Sequence, residues 1–338
     1  MSDPLQSAGE AAVLSPPDGE SAETAAPVLG LSPGRAAWRR FRSDKVGLVC
    51  LGVVALYVLL GVFAPVIAAI YGKSPYVDYG ENIPSLLTQN GYPAGANGGI
   101  GGQFWFGITP QLGTDVFTGL LYGIRTSLII AVSCVLITTL IGMSVGLTVG
   151  YLGGKVDRGY QFIANVMLAF PALLLMIALQ PVVDSRLVPI DQNEPVWMQF
   201  VAVIVILSLF GWIAHSMVLR SMVRSLRERE FVKAARALGL SRRRIIFTEL
   251  LPNLWGPVLV HVTMAVPAYV AYEATMSYLG LGIAEPIPDW GRMIADASNQ
   301  FFADPTYLVF PGAALLIFVL AFNLLGDAVR DALDPRSG

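Results

Sequence analysis

Few residues of this chain have side chains that could do chemistry, and the most conspicuous of them lie inside apolar runs. Glu273 stands in the long apolar stretch from Trp255 to Leu281. An ionisable group in such a stretch costs roughly 2.5–3.5 kcal/mol on membrane-insertion scales. It therefore faces a polar path or fixes a helix contact, unless it sits near a helix end and meets water or a neighbouring donor. Ser277, four residues on, is a candidate for the same two roles. His215, within Phe200–Leu219, reads as a helix-contact residue rather than a proton relay, because no partner base is evident. Cys50 and Cys134 both fall in apolar runs without metal-ligand spacing and read as small packing residues. With two His in all, neither a zinc nor a haem site is expected. There is no Gly-rich phosphate loop with Lys-Ser/Thr, no His-Glu-x-x-His and no Ser-His-Asp set. The expectation is a non-catalytic chain without a metal or cofactor of its own.

The elements that hold these residues are membrane spans. Apolar residues make up 54% and charged residues 14% of the chain, against roughly 25% charged in ordinary globular domains. Mean hydropathy is +0.61, and a net charge of −2 gives nucleic acid no footing. Residues 1–34, rich in Ala, Ser, Pro and Glu, lack a signal-peptide pattern and cannot bury enough surface to fold; they read as a disordered tail. A spanning helix needs roughly 20 mostly apolar residues. Six runs qualify: Val46–Ile70, Ser127–Gly150, Tyr160–Val183, Phe200–Leu219, Trp255–Leu281 and Tyr307–Leu325. With the N-terminus inside, 18 of the 22 Lys and Arg fall on the inner side, which predicts cytoplasmic termini. The chain thus divides into the tail, a basic elbow at 35–45 and an all-α six-span domain at 46–336. Outside the spans lie an outer segment at 71–115, an acidic outer loop at 282–305 and one long basic cytoplasmic loop at 220–253. Arg125, at an outer helix end, reads as a snorkelling anchor. In the acidic loop, Glu285, Asp289 and Asp296, with Trp290 among them, are the candidate contact for a delivering protein on the outer side, although acidic outer loops are common.

The basic loop has its own pattern. Phe231, Ala234, Ala235 and Leu238 recur at helical spacing, Gly239 offers a left-handed stop, and Ser241 is placed to cap a second helix carrying Ile245, Ile246, Leu250 and Leu251 before Pro252. Two short helices joined at a glycine make a compact knob whose small residues permit close approach of another protein. A solvated basic loop is the plain alternative.

The loop resembles the EAA motif of bacterial ABC importer permeases. Lys233-Ala234-Ala235, Gly239 and Leu251-Pro252 stand at that motif's separations, with Lys233 for its Glu and Glu249 for its Ile. Further segments are similar to the dipeptide/oligopeptide permeases of the DppC/OppC type. These are Leu112-Gly113-Thr114-Asp115, Gly123-Ile124-Arg125-Thr126-Ser127, and Ser277 to Gly282 followed by Pro286, Pro288 and Trp290-Gly291. The run Arg330-Asp331-Ala332-Leu333-Asp334-Pro335-Arg336 completes the set. The order of the segments carries the resemblance. The chain departs from it between Asp115 and Tyr122, where residues are missing, and at 71–111, which is longer and Gly-rich from Gly95 to Gly102. The resemblance implies a type I ABC importer permease fold in the bacterial inner membrane. It implies pairing with a second homologous permease as a heterodimer, two ATP-binding subunits that hold ATP and Mg, and an external substrate-binding protein. The substrate implied is a peptide, with nickel complexes, haem or oligosaccharides as alternatives. Phe231, Ala234, Ala235, Leu238, Gly239, Leu251 and Pro252 would dock on the ATP-binding subunit. An ion-coupled secondary transporter, the distant alternative, would carry intramembrane acids on several spans, and only Glu273 qualifies.

Overall fold

A computed structural model describes residues 33–187 and 195–333. The expected tail lies almost wholly outside these residues, as do Asp334, Pro335 and Arg336. Among the described residues the chain is helical, with isolated bridges in place of strands. Helix α1 (Pro33–Ser43) leads through Asp44 into α2 (Lys45–Tyr71), where the Asp44 carboxylate accepts from the Val46 N–H at 2.9 Å. At about 1.5 Å per residue, α2 is long enough to cross a bilayer, and left-handed Gly72 ends it. The other long helices are α3 (Val116–Leu152), α6 (Val196–Leu226), α8 (Trp255–Tyr278) and α10 (Pro305–Leu333). These five helices, α8 taken together with the turns that lead into it from Arg242, are long and apolar enough to cross a membrane.

The span expected at Tyr160–Val183 is not continuous. It consists of α4 (Gly154–Ala169) and α5 (Ala172–Leu187), bent by 84°. Pro171 is the cause: its ring disfavours helix at the preceding residue, and Phe170 is extended at φ −89°, ψ 136°. Pro65, Pro181, Pro267 and Pro311 sit inside helices without a comparable break. Two boundaries also move. Helix α3 starts at Val116, with the Asp115 carboxylate accepting from the Thr118 N–H at 2.7 Å. Arg125, exposed, is therefore well inside a helix rather than at its end. Helix α6 runs on to Leu226, so the basic connection begins at Arg227 rather than at 220.

Small residues set the packing. Along α2 the buried positions are Gly47, Cys50, Val54, Gly61, Ala64 and Ala68, a seam at steps of three, four and seven residues. A Cβ on Gly61 would stand 2.9 Å from Ile124 Cγ2. On α3, Gly142, Gly146 and Gly150 form a second stripe, facing His215, Leu219 and Val223 of α6. In lipid, helix association depends on close van der Waals contact rather than on apolar transfer, and these glycines let the two backbones approach. Cys134 is also buried in the core.

Candidate functional site

At the basic end of the bundle the chain forms the expected knob. Helix α7 (Glu230–Ala237) ends at Gly239, whose φ of +78° only glycine adopts readily. The Gly239 N–H donates to the Arg236 carbonyl at 3.0 Å and the Leu240 N–H to the Ala235 carbonyl at 3.1 Å, the paired bonds of a Schellman stop. The Ser241 hydroxyl accepts from the Arg244 N–H at 3.4 Å. One helical turn (Arg242–Arg244), a π-turn (Ile245–Leu250) and a 3₁₀ turn (Leu251–Leu254) then run straight into α8. Pro252 tightens this path without interrupting it.

The knob is tied to the bundle. Val232, Ala235, Ile245, Leu250 and Leu254 share a buried cluster with Leu147 and Tyr151 of α3 and Leu219 and Val223 of α6. Arg227 donates to the Gly150 and Tyr151 carbonyls at 3.4 Å, meeting the partial negative charge of the α3 C-terminus. The Arg236 guanidinium lies 5.1 Å over the Tyr151 ring. Outward, Phe231, Ala234, Leu238 and Gly239 are exposed, Leu238 by 79%. Displacement of this face must therefore move the ends of α3 and α6 with it.

At the acidic end, the outer segment folds against α2, α3 and α10. Tyr71 and Trp105 pack together, and Phe106 stacks on Phe310 at 4.4 Å. A cavity of about 570 Å³ opens here, lined in part by Tyr76, Asp78, Asp115, Glu285, Arg292 and Asp296. Beneath it a buried polar chain crosses the bundle. The Ser127 hydroxyl donates to Glu273 Oε2 at 2.9 Å, and the Ser277 hydroxyl donates to Asp289 Oδ2 at 2.7 Å, with Glu273 Oε1 at 3.4 Å. Asp289 Oδ1 accepts from the Gly291 and Arg292 N–H groups and so starts α9 (Trp290–Gln300). The Trp290 indole N–H donates to the Leu120 carbonyl at 3.2 Å, and its ring packs edge-on against Tyr57 and Phe318. Gly123 makes room for it: a Cβ there would stand 2.6 Å from Trp290 Cδ1.

Residues 139–338 match the family described as binding-protein-dependent transport system inner membrane component, and residues 32–88 match the N-terminal TM domain of oligopeptide transport permease C. The chain is similar to the dipeptide transport system permease protein DppC of Alkalihalophilus pseudofirmus, with 34% identity over 90% of this chain and 91% of the relative. It is similar, too, to the oligopeptide transport system permease protein OppC of Bacillus subtilis, with 33% identity over 90% of both chains. The glutathione transport system permease protein GsiD of Escherichia coli O157:H7 shows 34% identity over 90% of this chain and 91% of its own. This chain belongs to the binding-protein-dependent transport permeases. An inward-facing structure of the MetNI methionine ABC transporter overlays 64% of this chain and 96% of its own at 20% identity, with a TM-score of 0.49.

Several expectations for this permease need correction. Asp289 and Trp290, proposed to meet a protein from outside, are almost wholly buried, at 1% and 0% exposure. A cap and an indole packed at a helix crossing have no surface left to offer; Glu285 and Asp296 do remain exposed. Ala235 turns inward, away from Ala234, because adjacent helix positions point about 100° apart. Leu251 is partly buried and Pro252 exposed. Glu273 and Ser277 both lie at buried helix contacts. His215 has a partner after all: His261 of α8 meets it edge-on at 4.2 Å. Nothing in the spacing of two histidines 46 positions apart announces that meeting. Gly142, Gly146 and Gly150 are missing from the sequence expectations, although their four-residue spacing is a signal that marks the face of α3 packed on α6.

Proposed function

We propose that this permease forms half of the pathway of an ATP-driven importer of di- and oligopeptides, pairing with a second, homologous permease. Two ATP-binding subunits would bind ATP and Mg on the cytoplasmic side, where both termini lie, and a substrate-binding protein would deliver peptide from outside. Relatives named for dipeptides, oligopeptides and glutathione, itself a short peptide, support that substrate class. The observation that carries the reading is the knob: Phe231, Ala234 and Leu238 are apolar or small, exposed, and built on a core continuous with α3 and α6. An ATP-binding subunit seated on this face would convert its own closure into rigid-body movement of the helices. Hydrolysis then stays with the partner, and this chain supplies the lever.

The test is purification of the tagged chain in mild detergent with its partners, followed by ATPase and peptide-uptake assays in liposomes. The second permease, ATP-binding subunits and ATP-dependent uptake are expected. Gly239→Val places a β-branched residue at φ +78°, which strains the stop by about 1–2 kcal/mol. In that variant uptake should fall while the complex still assembles and hydrolyses ATP. Normal uptake in Gly239→Val, or uptake by the chain alone on an ion gradient, would refute the proposal.

A further inference from the structure

We propose that α1 is a binding site for the headgroups of anionic phospholipids. Arg35 stands three and four residues before Trp38 and Arg39, and Arg42 four and three residues after them, so the four share one face of the helix. All four are exposed, Trp38 by 57%. The opposite face is spoken for: Phe41 is 7% exposed in the main core, and Trp38 stacks on it at 5.9 Å. The indole is thus held from beneath and open above. No acid lies on α1, and the next acid along the chain, Asp44, is engaged as the cap of α2.

The position of the stripe identifies its occupant. Only Asp44 separates α1 from α2, and Lys45 extends the positive charge to the first residue of the span. Val46 and Val49 are 55% and 67% exposed, so the lipid-facing surface begins within one turn of the basic stripe. Headgroup phosphates therefore lie at the level of Arg39, Arg42 and Lys45, and the acyl chains at Val46 and beyond. A tryptophan at that level suits the interface between the two. Guanidinium groups bind phosphate oxygens bidentately, and a basic cluster next to a span attracts anionic lipid. The site goes beyond the transport role and holds for either leaflet, since it needs only anionic headgroups at the depth of Lys45.

The experiment uses the full chain in its purified complex, titrated with phosphatidylglycerol or phosphatidylcholine of matched acyl chains and read by native mass spectrometry. Wild type should retain phosphatidylglycerol about a hundredfold more tightly, about fivefold for each of three arginines. Each basic residue near an anionic surface is worth about fivefold in affinity, so R35Q/R39Q/R42Q should weaken phosphatidylglycerol binding about a hundredfold. Phosphatidylcholine binding should not change, which also reports that the variant is folded. If the triple variant fails to fold, Arg39→Gln alone should show the fivefold loss. Equal retention of the two lipids by wild type, or unchanged phosphatidylglycerol binding in a folded variant, overturns the assignment.

Discussion

Replacing Gly146 by Ala should destabilise the protein, against the ordinary effect of that substitution in a helix. Gly→Ala in a helix interior stabilises by about 0.5–1 kcal/mol. At Gly146, however, the new Cβ would stand 2.9 Å from both Leu219 Cβ and the Ser216 carbonyl oxygen, and 3.2 Å from the Arg220 backbone nitrogen. Comfortable contact between carbon atoms begins at about 3.5 Å. Two of these neighbours are backbone atoms and cannot rotate away, so α3 and α6 must part by about 0.5–1 Å. A gap of that size forfeits about a quarter to a half of each dispersion contact, and Gly142 and Gly150 lose their close neighbours along with Gly146. Overpacking of this kind costs about 1–3 kcal/mol, which leaves a net loss of about 0.5–2 kcal/mol. Gly52 of α2 is the internal control, because nothing lies within 4 Å of a Cβ there. Gly52→Ala should be neutral or stabilise by up to about 1 kcal/mol. Thermal unfolding of both variants in the same detergent decides the matter: the midpoint should fall for Gly146→Ala and hold or rise for Gly52→Ala. A midpoint that rises in both would show that the stripe is not the contact that sets the α3–α6 distance.

Trp290→Ala removes a fully buried indole and its bond to the Leu120 carbonyl; the expected loss is about 3–5 kcal/mol, while Trp290→Phe should retain most of the packing, as measured by unfolding midpoints. Burial raises the Asp115 carboxyl above its ordinary range, an effect that hydrogen bonds from Thr118 and Tyr71 only partly offset. The folded state then holds that proton more tightly than the unfolded state, so stability should decline as pH rises from about 4 through the raised value. In Asp115→Asn that segment of the midpoint-against-pH curve should be flatter than in wild type; an unchanged slope would remove Asp115 as its source.

What the sequence determined by itself was whatever depends on composition and on short-range spacing. Long uncharged runs dictate spanning helices because lipid offers the backbone no other partner. The step from Leu238 through Gly239 to Ser241 dictates the knob, because a left-handed stop and a hydroxyl cap are local devices of the chain. Even the bend at Pro171 follows from a local steric rule, although an apolar run conceals it. The tertiary structure decided the rest, since hydropathy does not record which side of a helix meets a neighbour. Trp290 and Asp289 read as surface residues in an acidic loop, yet α9 folds back so that Gly123 receives the indole and Ser277 donates to the carboxylate. Ala234 and Ala235 are indistinguishable as neighbours in the chain, and only the packing of α7 on α3 and α6 sends one outward and the other into the core. His215 and His261 meet because α6 and α8 cross there. Such contacts join residues far apart in sequence, and only the packed arrangement of the helices brings them together.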